Sequence, residues 1–156
     1  MLTPVTVDLL DHEATARLGR NLASRLFPGT VIALVGQLGA GKTQLVRAVA
    51  EGLDVRDPRV VTSPTFVLLQ QYAGRLPIYH FDVYRLPGVA AFEDLGGPEL
   101  LEGDGVCLIE WADKIEPALP VDHLRITLEA TGESSRRAIL QASGPIHAAL
   151  LVLLLG

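Results

Sequence analysis

The chain has 156 residues, 49% of them apolar and 20% charged, with a formal net charge of −5. That is the length of one domain, able to bury a core without a disulfide or metal staple, and the composition excludes disordered and collagen-like chains. The acidic balance, with Arg136-Arg137 the sole adjacent basic pair, speaks against an autonomous nucleic-acid binder, so any action on RNA is expected to run through partners.

The first ten residues have no basic start and carry Pro4 and Asp8, unlike a secretory signal. Val5-Thr6-Val7 is a short strand candidate, and Asp11 is placed to cap a helix whose Ala14, Leu18, Leu22 and Leu26 recur at a spacing of four. Pro28-Gly29 ends it. Val31-Ile32-Ala33-Leu34-Val35 is a continuous apolar run, as in a parallel strand buried on both faces. A glycine-rich turn over 36–41 leads into a helix over 42–53, with Leu45, Val46, Val49, Ala50 and Leu53 on its inner side. Residues 66–72 and 76–83 read as a hairpin around Ala73-Gly74-Arg75. Residues 90–101 are helical but interrupted by Gly96, Gly97 and Pro98. A second buried strand over 106–109 ends in Glu110-Trp111, and 124–130 with 137–142 form a closing antiparallel pair. The longest apolar run, 148–155, is too short for the roughly 20 residues a bilayer span needs, and it reads as a docked C-terminal helix with no membrane role. The expected architecture is a single α/β domain over 1–156, a mixed sheet with helices packed on it. Cys107 is the lone cysteine, which fits a reducing, cytoplasmic setting and an inert place in the core.

Gly36-Gln37-Leu38-Gly39-Ala40-Gly41-Lys42-Thr43 matches the phosphate-binding pattern G-x-x-x-x-G-K-[ST] in full, after an apolar strand and before an amphipathic helix. Glycines let backbone N–H groups turn toward phosphate oxygens, and the helix directs its positive end at the same anion. Lys42 is placed for the β- and γ-phosphates and Thr43 for Mg²⁺. Lys42 is one of two lysines against eleven arginines, and a slim ammonium suits a phosphate cradle. Two carboxylates close apolar strands, Asp82 and Glu110, and either is a candidate to face a nucleotide at the carboxyl ends of the strands. The sequence leaves open which one touches the metal and which positions water. Thr62-Ser63-Pro64-Thr65-Phe66 follows where nucleotide hydrolases place a switch; its hydroxyls, Thr65 among the catalytic candidates, compete with a plain reading as a polar, proline-stiffened strand start. Trp111 either covers the site or fills core. His80 alternates out of phase with Tyr79 and Phe81 and is assigned a structural role, while Asp113, His123 and His147 form no interpretable pattern.

GQLGAGKT, TSPTF, YHFDVYRL and CLIEWADK, in this order and spacing, together resemble the bacterial TsaE (YjeE) ATPase family, which takes part in making the threonylcarbamoyladenosine modification of tRNA. His12-Glu13-Ala14-Thr15 with Leu18-Gly19, and Phe92-Glu93-Asp94-Leu95-Gly96, extend the likeness over roughly residues 8–140. The resemblance implies a P-loop-type sheet with extra antiparallel strands, Mg²⁺ held by Thr43 and Glu110, hydrolysis of ATP dependent on Asp82, and a switch over 63–66. It also implies a nucleotide base near His12 and Arg136 at the nucleotide site. The implied partners are the TsaD and TsaB proteins, with tRNA reached indirectly through them. Gln37 and Ala112 depart from the family, which usually has an acidic residue and often a proline there. The competing readings are a P-loop small-molecule kinase, for which Arg85 alone between Asp82 and Glu110 makes a thin lid, and a nucleotide-controlled binding module.

Overall fold

The structure, a computed structural model, describes residues 2–62 and 68–156. In chain order the elements are β1 (Val5–Leu9), α1 (His12–Ala23), β2 (Val31–Val35), α2 (Lys42–Gly52), β3 (Leu69–Tyr72), β4 (Ile78–Asp82), α3 (Val89–Asp94), α4 (Gly97–Leu101), β5 (Val106–Glu110), β6 (Leu124–Ala130), β7 (Arg136–Ala142) and α5 (Pro145–Leu155). The strands form a seven-stranded sheet in the order β1-β7-β6-β2-β5-β4-β3. Its middle is parallel, β4 and β2 flanking β5 and β6 lying beside β2, and its two edges are antiparallel. This is the mixed α/β sheet expected.

The side-chain period of two divides each central strand between two cores. Ile32 and Leu34 of β2, Val106 and Leu108 of β5 and Ile78 of β4 join the core beneath α1 and α2. Val31, Ala33, Cys107, Ile109, Tyr79 and Phe81 join the opposite core beneath α3 and α4. The continuous apolar runs of β2 and β5 follow from burial on both faces. In the second core the Phe81 and Phe92 rings sit 5.2 Å apart.

Asp11 caps α1 as expected, its carboxylate accepting from the Ala14 N–H at 2.7 Å. The helix ends at Ala23, so Leu26 reaches the core from the turn beyond. The expected helix over 90–101 is two short helices, broken where Gly96 takes φ +80°. The described part of the strand expected over 66–72 begins at Leu69; residues 66 and 67 lie outside the described residues. The apolar tail forms α5 and docks through His147, Leu150 and Leu151, leaving Val152, Leu153 and Leu155 exposed. His147 has a clear structural task. Its Nε2 accepts from the Val31 N–H at 3.1 Å, which makes Nδ1 the donor to Asp122 at 2.7 Å. Burial pulls its pKa below the ordinary value, so the ring stays neutral. No helix among the described residues is long and apolar enough to cross a membrane.

Helices α1 and α2 pack backbone to backbone. A Cβ on Gly19 would overlap that of Ala48, and one on Gly52 would overlap that of Ala23. Gly19→Ala is therefore expected to destabilise the fold: overpacking of about 1–3 kcal/mol outweighs the helix-propensity gain of about 1 kcal/mol. Urea denaturation checks this, and a midpoint at or above wild type would refute the tight crossing.

Candidate functional site

Residues 36–41 leave the carboxyl end of β2 and turn into α2. Gly36 lies at φ +155°, and a Cβ there would press on the Leu128 carbonyl at 2.5 Å. Gly41 stands at φ +101° as the residue before α2, with no side-chain cap, so the first-turn amides of the helix carry its positive end. Residues 38–44 with Glu110 and Trp111 line a cleft of about 230 Å³. A second hollow of about 450 Å³ lies on the other flank of the loop, between Gln37, Trp111, Asp113 and the end of β6.

The Lys42 ammonium donates to the carbonyls of Gly36 at 2.7 Å and Gln37 at 2.9 Å and lies 4.1 Å from the centre of the Trp111 ring. Burial lowers its pKa, opposed by the negative charges of Glu110, Asp82 and Asp113. Trp111 comes directly after β5 at φ +63°, a left-handed conformation that costs a non-glycine residue about 1–3 kcal/mol. The turn carries its ring back over the lysine, where it also meets Tyr84 at 4.7 Å. Both readings open for Trp111 hold in part: its ring lies over Lys42 at the loop and also packs against the core beneath α3 and α4.

Strand alternation places the carboxylates. Glu110 shares the face of Val106 and Leu108, Asp82 and His80 share that of Ile78, and α2 packs on this same face. Asp82 and Glu110 are register partners on adjacent strands. The Thr43 hydroxyl contacts Glu110 at 3.0 Å (Oε1) and 3.1 Å (Oε2). Asp82 accepts from the Tyr84 N–H at 2.9 Å. The residue beside the Thr43 hydroxyl is thus Glu110. A hydroxyl and one carboxylate are hard oxygen donors that suit Mg²⁺, which is ordinarily held by one or two carboxylates together with phosphates and water. Among the described residues no group of three or more His, Cys, Asp or Glu forms a metal cage.

His80, assigned a structural role from the sequence, has partners on both neighbouring strands. It is fully buried, with Nε2 at 2.5 Å from Glu110 Oε2 and Nδ1 at 3.0 Å from the Tyr72 hydroxyl. The Tyr72 phenol is pushed up to about 12, by burial first and then by the charge of Glu110. The signal available in the sequence was phase: His80 is two residues from Asp82 and so on its face.

Arg136 is brought to the loop, on its carbonyl side. Nε donates to Ala40 O at 3.0 Å and Nη2 to Gly39 O at 3.3 Å, while Nη1 holds the carbonyls of Gly132, Glu133 and Ser135. Because the C=O and N–H of a trans peptide point oppositely, this turns the Gly41 N–H away from the guanidinium. His12, exposed at the start of α1, contacts Gln44 of α2 through Nδ1 at 3.2 Å and so sits beside the cleft. Cys107 is buried, its thiol pushed up to about 12, as an inert core residue. Thr65 and the expected switch over 63–66 lie outside the described residues.

Comparison with known proteins agrees with this arrangement. Residues 9–139 match the family described as Threonylcarbamoyl adenosine biosynthesis protein TsaE. The chain is 43% identical over 136 residues to the tRNA threonylcarbamoyladenosine biosynthesis protein TsaE of Bacillus subtilis, covering 86% of this chain and 84% of that one. It is 43% identical over 122 residues to the TsaE protein of Treponema pallidum, covering 78% and 89%. The crystal structure of Bacillus subtilis YdiB superposes with a TM-score of 0.80 at 34% identity, covering 99% of this chain and 95% of that one. Motif order, sheet and sequence thus converge, and the chain belongs to the TsaE family of tRNA threonylcarbamoyladenosine biosynthesis.

Proposed function

We propose that the chain is a Mg²⁺-dependent ATPase, slow in isolation, that binds a TsaD–TsaB core and supports its repeated turnover in threonylcarbamoyladenosine synthesis. The observation that carries this reading is the contact of the Thr43 hydroxyl with Glu110 at 3.0 Å beside a complete phosphate loop. Backbone amides of residues 36–43 cradle the phosphates, Lys42 supplies a compact positive charge, and Thr43 and Glu110 hold Mg²⁺. The chemistry that a bound Mg²⁺ would supply there is neutralisation of charge on the phosphate oxygens. Asp82, held by the Tyr84 N–H, orients the attacking water; Thr65 and the segment 63–66 enter this reading from their place in the sequence and from the family likeness. Arg136 fastens the loop from behind, and His12 borders the base end. The chain works in the cytoplasm and reaches tRNA through its protein partners, consistent with its net charge of −5.

The test is multi-turnover formation of threonylcarbamoyladenosine by a reconstituted TsaD–TsaB system with the wild-type chain, with Lys42→Ala, or with the chain omitted. Sustained turnover is expected with the wild type only. Equal turnover in all three mixtures would remove the reading, and stoichiometric phosphorylation of an added small molecule would replace it with a kinase.

A further inference from the structure

We infer that His80 is a positioning residue that sets the orientation of the Glu110 carboxylate, and through it the Thr43 hydroxyl, for a divalent cation. The inference rests on the nucleotide–Mg²⁺ reading of the site and adds to it a residue that touches neither nucleotide nor metal.

Glu110 is only 2% exposed, and a buried carboxylate is tolerated when its oxygens find donors. Among the described residues two side chains supply them: the Thr43 hydroxyl, within reach of both oxygens, and His80 Nε2, on Oε2 alone. An ionised carboxylate only accepts, so the hydrogen at this contact belongs to Nε2. At the other end of the ring, Nδ1 meets the Tyr72 hydroxyl, which in turn meets Gln70 Oε1 at 2.5 Å. The imidazole is therefore held to β5 through Nε2 and lies with Nδ1 against the Tyr72 phenol of β3. Its ring also packs against that of Tyr72, with centroids 5.8 Å apart.

Two consequences follow at the cation side. The terminal torsion of a glutamate is broad, and a donor fixed on Oε2 selects one setting of it. The Thr43 hydroxyl has a single hydrogen; spent on Glu110, it leaves the oxygen lone pairs directed elsewhere, as a cation ligand requires. Partners of this kind around metal ligands are ordinarily worth about 10- to 100-fold in metal affinity. A histidine that merely satisfied a core position would affect folding and leave the metal increment untouched.

The experiment measures ADP binding to the full chain by titration calorimetry in EDTA and in Mg²⁺, and Mn²⁺ binding to the ADP complex by electron paramagnetic resonance. Asparagine is too short to reach Glu110 from β4, whereas the glutamine amide reaches the place of Nε2. The expected result is that His80→Asn binds ADP in EDTA within about twofold of wild type. It is also expected to lose about 10-fold or more of the Mg²⁺ enhancement and of Mn²⁺ affinity. His80→Gln is expected to restore most of both. Tyr72→Phe, which keeps the ring packing and removes one outer contact, is expected to lose several-fold of the increment and serves if His80→Asn does not fold. A wild-type metal increment in the folded His80→Asn protein, or in Tyr72→Phe should that be the only folded variant, overturns the positioning role. So does a loss in His80→Asn that is equal with and without metal. A wild-type chain that binds no ADP at all would instead overturn the nucleotide reading itself, and the inference with it.

Discussion

Lys42→Ala is expected to weaken nucleotide binding by about 2–4 kcal/mol, roughly 30- to 1,000-fold, with turnover lost in proportion. The size follows from where the ammonium sits. Lys42 is 5% exposed, flanked by the Gly36 and Gln37 carbonyls and the face of Trp111. Burial lowers its pKa, and the negative charges of Glu110, Asp82 and Asp113 oppose that shift by favouring the ammonium. Alanine removes the charge while leaving the glycines and the first turn of α2 in place, so the loss falls on the ligand and not on the fold. Lys42→Arg should not restore binding, because the planar guanidinium is wider than the slot between the two carbonyls and the indole. Calorimetry with ADP and ATP, alongside thermal unfolding of each variant, reads both quantities. Unchanged affinity in a folded Lys42→Ala protein would end the phosphate assignment.

The second large effect separates two neighbouring carboxylates. Glu110→Gln keeps the volume and a hydrogen-bonding head at the buried position but removes the charge. It is expected to abolish the Mg²⁺ dependence of binding, because the acceptor beside the Thr43 hydroxyl is then a neutral amide. Asp82→Asn is expected to bind Mg²⁺–nucleotide nearly as wild type and to turn over about 10²- to 10⁴-fold more slowly, the range for losing a positioned carboxylate that handles a proton. The two side chains are register partners on β4 and β5, so a difference between them tests orientation and not mere proximity. Measured together, binding with and without Mg²⁺ and single-turnover hydrolysis assign the roles. Wild-type hydrolysis by both variants would show that neither residue belongs to the reaction.

Much of this site was legible because it is local in sequence. The phosphate loop is eight consecutive residues, and the strand before it and the helix after it declare themselves through an unbroken apolar run and a spacing of three and four. Asp82 and Glu110 were legible as carboxylates ending apolar strands. What connects distant segments was not. That β4 lies beside β5, with Asp82 opposite Glu110, is a property of the sheet order, and only that order brings His80 to Glu110. A lone histidine in an apolar strand carries no mark of its partner. His147 was opaque for the same reason, since its acceptor role depends on the Val31 amide, far away in the chain. Arg136 reached this region through resemblance, but its hold on the Gly39 and Ala40 carbonyls comes from the closing hairpin folding back over the loop.

The placement of that hairpin bears on the order in which a growing chain becomes competent. β2, β4 and β5 can pair with one another as soon as residue 110 has been synthesised. β1, made first, has to wait for β7, since Val5 is matched with Leu140. The phosphate loop is translated early, yet the guanidinium that fastens it arrives with residue 136. Local contacts form cheaply and early, whereas distant ones carry the cost of closing a long loop. A nascent chain interrupted before the last hairpin would therefore display the whole glycine-rich motif on an unfinished sheet, with the loop's carbonyls unfastened. The fastening of the loop waits on the pairing of β7 with β6.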